Sequence, residues 1–193
     1  MEKKFTKFLR STYGCEADNP EILKKLEAIS GIETDKTKIV EKIFLWVRDN
    51  IRYELDPLVG AVNLLKRKTG ACVDKSSLFI ALCRAAGIPA RYVLMNAYLL
   101  SNKEIELLEL NHCASEIYLN GSWKIIDPTF DPSCSSLFPQ ASFESPNWWD
   151  PEKSQISYKT KEIDMTLSDL VSESYEKEET SLKFKQILAK ERS

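Results

Sequence analysis

Apolar residues recur at helical spacing through TGACVDKSSLFIALCRAAGIPAR, the stretch from Thr69 to Arg91. Leu78, Phe79, Leu82, Ala85 and Ala86 form the stripe, and Ile80, Ala81 and Cys83 widen it, which predicts a mostly buried helix over about 73–86. Gly87 is placed to end that helix and Pro89 cannot continue it. Gly70 reads as allowing a tight turn ahead of the helix, and Cys72 falls just before or at its first turn.

Upstream, the same period predicts two helices and a shorter third. Asn19-Pro20 opens one over about 21–30, carrying Ile22, Leu23, Leu26 and Ile29 and ended by Gly31. Thr34 or Asp35 caps a longer one over about 36–50, with Ile39, Ile43, Trp46 and Val47 on one face. Trp46 reads as core packing rather than as a substrate platform. Residues 51–55 read as extended. The third helix spans 60–68, packs Val62, Leu64 and Leu65 inward, and ends in Lys66, Arg67 and Lys68, a basic run suited to a helix C-terminus.

Beyond Pro89 the period shortens to two. Residues 91–99 alternate and are rich in β-formers, so they read as a strand. The acidic stretch 101–111, SNKEIELLELN, reads as a short helix or an exposed excursion. Asn120-Gly121 between two alternating runs predicts a hairpin of antiparallel strands at about 112–119 and 122–127. With a two-residue turn, Leu119 faces Ser122, Ala114 faces Asp127 and His112 faces Thr129, so His112 and Asp127 become diagonal neighbours on one face. Residues 130–151 hold Pro132, Pro139, Pro146, Pro151 and the pair Trp148-Trp149 without a clear period, and read as a long packed loop. A further strand is expected at 156–160, and a charged, partly helical segment from Lys161 onward.

Composition narrows the class. A chain of 193 residues, 43% hydrophobic, fits one domain with a sizeable core. A net charge of −2 gives no general electrostatic reason to expect nucleic acid or an anionic membrane as partner. The opening MEKKFTKFLRSTYG lacks the apolar run of a signal peptide, and no stretch approaches a transmembrane length. The five cysteines, Cys15, Cys72, Cys83, Cys113 and Cys134, show neither a disulfide framework nor a C-x-x-C pair, so the expectation is a cytoplasmic protein with reduced thiols.

The candidate chemistry starts at Cys72. The first turn of a helix has unpaired N–H groups and the positive end of the dipole, and both favour a thiolate. The same N–H groups are able to receive an oxyanion formed by attack on a carbonyl. His112 is the one histidine of the chain, and a histidine held beside a carboxylate, here Asp127, is suited to act as an oriented base.

The order Cys72, His112, Asp127, carried by GACVDKSSLFIALCRAAGIPARYV and HCASEIYLNGSWKIIDPT, resembles the transglutaminase-like superfamily of papain-type thiol enzymes. The likeness covers roughly 43–129. Ala114 is a departure, since members commonly carry a tryptophan two residues after the histidine, and this alters the pocket wall beside His112. The resemblance implies an α+β fold in which the cysteine helix packs on an antiparallel sheet, with helices N-terminal to it. It implies Cys72 as nucleophile, His112 as the base that later protonates the leaving group, and Asp127 as the group that orients it. A second oxyanion donor would come from upstream.

The implied reaction is acyl transfer through a thioester from a peptide or protein amide, most simply a cysteine protease or amidase, with no cofactor and no metal. A protein-glutamine transferase and a non-catalytic binding module on the same fold are the alternatives; retention of all three residues favours an enzyme. No D-x-D-x-D-G pattern suggests a calcium loop. A metal site from Cys72, His112, Cys113 and Asp127 is disfavoured, because adjacent strand residues 112 and 113 point to opposite faces.

Overall fold

The helix that begins at Cys72 lies at the centre of the molecule. A computed structural model describes residues 3–54, 59–99, 108–129 and 157–160, with 3–4, 94–99, 108–112 and 157–160 described through their backbone. Within these residues the helices are α1 (Pro20–Ser30), α2 (Lys36–Asn50), α3 (Gly60–Arg67) and α4 (Cys72–Ala85). The strands are β1 (Arg52–Tyr53), β2 (Thr69–Gly70), β3 (Ala90–Leu99), β4 (Leu108–Leu119), β5 (Ser122–Ile126) and β6 (Ser157–Thr160). The expected loop over 130–151 and the helical segment from Lys161 lie outside the described residues.

The local signals act as expected at the first two helices. Asn19 Oδ1 accepts from Glu21 N at 2.9 Å, and Pro20 occupies the first turn of α1, where its missing N–H costs nothing. Asp35 is the cap of α2, its Oδ1 accepting from Thr37 N at 2.8 Å and Lys38 N at 3.1 Å. Trp46 is a partly buried core neighbour, with the ammonium groups of Lys25 and Lys68 each 4.6 Å from its ring centre.

A four-stranded antiparallel sheet in the order β5-β4-β3-β6 stands against α4. Leu119 pairs with Ser122 across Asn120-Gly121, both at positive φ, as the hairpin reading requires. Two expectations need correction here. Residues 108–111 are neither helix nor excursion: their alternation continues β4, and the ladder with β3 runs unbroken from Ala90↔Ile117 to Leu99↔Leu108. The expected strand to Asp127 ends one residue early, at Ile126, so the pairings of Ala114 with Asp127 and His112 with Thr129 lie beyond the ladder.

A third correction concerns Gly70. It is not a left-handed turn residue but part of β2, which pairs in parallel with β1. Its glycine is required by close approach: an added Cβ would lie 2.7 Å from Leu64 Cδ1 and 2.8 Å from Asp74 Cβ.

The core is continuous around α4. Ile22 from α1, Val40, Ile43 and Val47 from α2, Leu64 from α3, and Ala90, Tyr92, Cys113, Ile117 and Ile126 from the sheet close over Leu78, Phe79, Ile80 and Leu82. On the sheet, Phe5 stacks on Tyr118 with ring centres 4.2 Å apart, Phe8 meets the Trp123 edge at 5.0 Å, and the Arg91 guanidinium sits 4.0 Å from the Trp123 ring centre. Arg91 Nε also donates to Glu116 Oε2 at 2.6 Å. Within the described residues no helix is long and apolar enough to cross a membrane.

Candidate active site

Cys72 is the first residue of α4 and is 9% exposed, so its sulfur stands at the buried start of the central helix. Its own N–H has no acceptor within the helix, as for every first-turn residue. Four consecutive polar residues, Asp74, Lys75, Ser76 and Ser77, follow within one turn, and all are fully buried. Each successive residue turns by about 100° around the axis, so the four side chains leave the helix in different directions.

Each finds a different partner. Asp74 Oδ1 accepts from Val59 N at 2.8 Å and Gly60 N at 3.3 Å, at the start of α3, while Oδ2 accepts from Ala71 N at 3.3 Å. The last contact is half of a capping box; Ala71 has no side-chain oxygen to return it. Lys75 Nζ donates to Ile51 O at 2.6 Å and Arg48 O at 3.4 Å, putting a cation against the C-terminal carbonyls of α2. Ser76 Oγ donates to Cys113 O at 3.2 Å. Ser77 Oγ donates to Val73 O at 2.7 Å and accepts from the Tyr92 hydroxyl of β3 at 2.7 Å.

The Ser76 contact fixes the level of Cys72 against the sheet. Cys72 and Ser76 are four residues apart on one helix and share a face. That face is pinned to the β4 backbone at Cys113, the residue after His112. His112 is a backbone position of β4 paired with Met95; its side chain lies outside the described residues, and so does the mutual contact of the three predicted site residues.

Asp127 follows β5, is half-buried, and its Oδ1 accepts from Thr129 N at 3.0 Å, with Pro128 and Thr129 buried beyond it. Burial drives the thiol of Cys113 well above the ordinary range, and the neighbouring Cys72, Asp127 and Asp74 act in the same direction. Strand alternation sets Cys113 on the face opposite His112, and its side chain is buried in the core around α4. Asp74, Ser76 and Cys113 are the site neighbours that periodicity did not reveal; the DKSS run inside an otherwise apolar helix was the available signal.

The remaining described thiols are structural in setting. Burial pushes Cys15 up to about 11 and Cys83 well above its usual range, and all four described cysteines are free. Among the described residues no cluster of histidine, cysteine or carboxylate side chains is arranged to hold a metal ion.

Residues 24–128, more than half of the chain, match the family model of the transglutaminase-like superfamily. The chain belongs to the transglutaminase-like superfamily. The match begins upstream of the stretch in which the resemblance is legible, taking in most of α1 and all of α2. Among solved structures, a candidate cysteine protease from Cytophaga hutchinsonii aligns at 25% identity with a TM-score of 0.58, over 83% of this chain and 53% of its own. The periplasmic domain of TgpA from Pseudomonas aeruginosa shares the fold at 21% identity and a TM-score of 0.50, over 64% of this chain and 48% of its own. The chain thus spans about half the length of the solved structures it matches. None of the curated proteins matches it by sequence. The α+β architecture, with helices ahead of a cysteine helix packed on an antiparallel sheet, is that of a superfamily whose members are usually enzymes.

Proposed function

We propose that this chain is a thiol enzyme that cleaves a peptide or amide through a Cys72 thioester, with water as the final acceptor. The observation that carries the reading is the placement of Cys72 at the start of α4, on the face that Ser76 ties to β4 next to His112. Membership of the superfamily and the likeness to the Cytophaga protein support it.

In this reading His112 takes the Sγ–H proton and the thiolate attacks the carbonyl carbon. The oxyanion gathers at the Cys72 N–H, where the helix dipole favours negative charge. Collapse breaks the C–N bond, and His112 returns the proton to the departing amine. Water then gives a proton to His112 and attacks the thioester, and the C–S bond breaks to restore the thiol. Asp127 fixes the tautomer of His112 and stabilises the imidazolium. No cofactor enters, and a reducing compartment such as the cytoplasm keeps the thiols available.

Profiling with peptide-amide and electrophile libraries, beside Cys72→Ala, tests the proposal. Acylation is expected in the wild type and lost in the variant, with the fold intact. In native protein, iodoacetamide is expected to reach Cys72 well below pH 8 and before Cys15, Cys83 or Cys113. Equal labelling of Cys72 and Cys83 would remove the nucleophile from the account.

A further inference from the structure

We propose that Asp74 is a positioning residue for Cys72: its carboxylate joins the starts of α3 and α4 and thereby sets where the nucleophile and its N–H stand. The inference rests on Cys72 being the reactive thiol. Asp74 is fully buried, two residues from Cys72, and takes three backbone N–H groups from two segments. A carboxylate is suited to this: both of its oxygens accept, whereas an asparagine presents one acceptor and would turn an N–H toward another N–H. The contact with Ala71 N holds the turn directly before Cys72, and the contacts with Val59 N and Gly60 N fix that turn to α3.

The surroundings show that the chain bears a cost to keep the carboxylate there. Burial raises Asp74 to about 6 although the three N–H groups and the Arg67 guanidinium of α3 all favour its charge. The Cys113 thiol on the β4 side senses the Asp74 charge as well. Lys75 directs its ammonium away, to the end of α2. A buried ion that its bonds do not fully repay is the pattern of a group retained for its effect on a site. When Asp74 takes a proton, one of its oxygens becomes a donor, one N–H loses its acceptor, and the turn ahead of Cys72 loosens.

The test is the rate of Cys72 alkylation by iodoacetamide, mapped by mass spectrometry, against pH. In the wild type the rate is expected to fall as pH drops through about 6, beyond what thiol protonation accounts for, in step with the Asp74 carboxyl signal followed by NMR. The same inflection is expected in His112→Ala, where no imidazole titrates. Asp74→Asn is expected to lose the inflection and to react about 10- to 100-fold more slowly, the scale of a nucleophile displaced by a fraction of its working geometry. Asp74→Glu, which restores the charge, recovers part of that rate.

If Cys72 of the wild type is no more reactive than the other thiols at any pH, the thiol-enzyme reading itself fails. If Cys72 is reactive but Asp74→Asn keeps its rate and pH profile, or the inflection vanishes in His112→Ala, the positioning role is overturned while the enzyme reading stands. Should Asp74→Asn not fold, the wild-type comparison decides: an Asp74 titration that does not coincide with the alkylation inflection overturns the proposal.

Discussion

Replacing Gly70 by alanine separates two reasons for a glycine. Gly70 does not need a left-handed backbone; what it needs is room. The new Cβ would lie 2.7 Å from Leu64 Cδ1, 2.8 Å from Asp74 Cβ and 3.2 Å from Asp74 Oδ2. The leucine methyl is the far end of a flexible side chain and moves at small cost. The Asp74 Cβ is fixed to α4, and its carboxylate is held by three N–H groups, so relief requires α4 to shift at its start. Overpacking of this kind costs about 1–3 kcal/mol. At roughly 2–4 °C per kcal/mol for a chain of this size, a cost near 2 kcal/mol lowers Tm by roughly 4–8 °C. Thermal unfolding followed by circular dichroism, with urea titration for the free energy, provides the measurement. Gly87→Ala is the contrast: it has positive φ but nothing within 4 Å of the added atom, so its cost is purely conformational. A Gly70→Ala variant melting within about 1 °C of wild type would refute the crowding argument and the rigidity it assigns to the Asp74 junction.

Two further outcomes follow from buried polar groups. Folded Asp74 holds its proton up to about 6, whereas the unfolded chain releases it near 3.8, so the folded state binds more protons in that window. Stability therefore falls as pH rises from 3.8 to 6, by up to ~3 kcal/mol from this group alone. Denaturant titrations across the window should show this slope in wild type and lack it in Asp74→Asn; equal slopes would contradict it. Tyr92→Phe removes the donor to Ser77 Oγ inside the core, and should cost about 1 kcal/mol in urea titration, since Ser77 keeps its bond to Val73 O. An unchanged midpoint would mean that this bond adds nothing to stability.

The elements were legible where periodicity and local chemistry agree. Asn19-Pro20, Asp35 and Asn120-Gly121 act within a few residues of themselves, and the structure uses each as its side chain dictates. Gly70 misled because a glycine announces freedom of φ and conceals close approach, which depends on Leu64 and Asp74 arriving from other turns. The strand at 108–111 was obscured because LELN suits either period; only pairing with β3 chooses between them. The three candidate site residues were named by spacing and resemblance, whereas the groups around Cys72 were hidden, because their partners are backbone atoms of distant segments. No side-chain pattern encodes that Ile51 O, Val59 N and Cys113 O will face one helix turn.

That hidden layer bears on how the start of α4, and Cys72 with it, is held still. Apolar contacts around α4 exclude water but barely distinguish one rotation of the helix from another, since residues 78–83 are apolar on every side and Arg84 is the single charged group beyond them. Hydrogen bonds do distinguish them, because a donor must meet its acceptor within a few tenths of an ångström and along a narrow range of angles. Asp74, Lys75, Ser76 and Ser77 impose four such conditions on one turn, directed toward α3, α2, β4 and β3. A rotation of α4 by one residue, about 100°, would break all four at once; Ser77 would keep its bond to Val73 O, but polar groups on both sides would be left short of partners, at about 1–3 kcal/mol apiece. The polar turn, with Arg84 donating to Ala90 O and Arg10 O at the far end, therefore gives the buried helix a single setting. It begins two residues after Cys72, so a rotation that broke it would also turn that residue away from the β4 backbone.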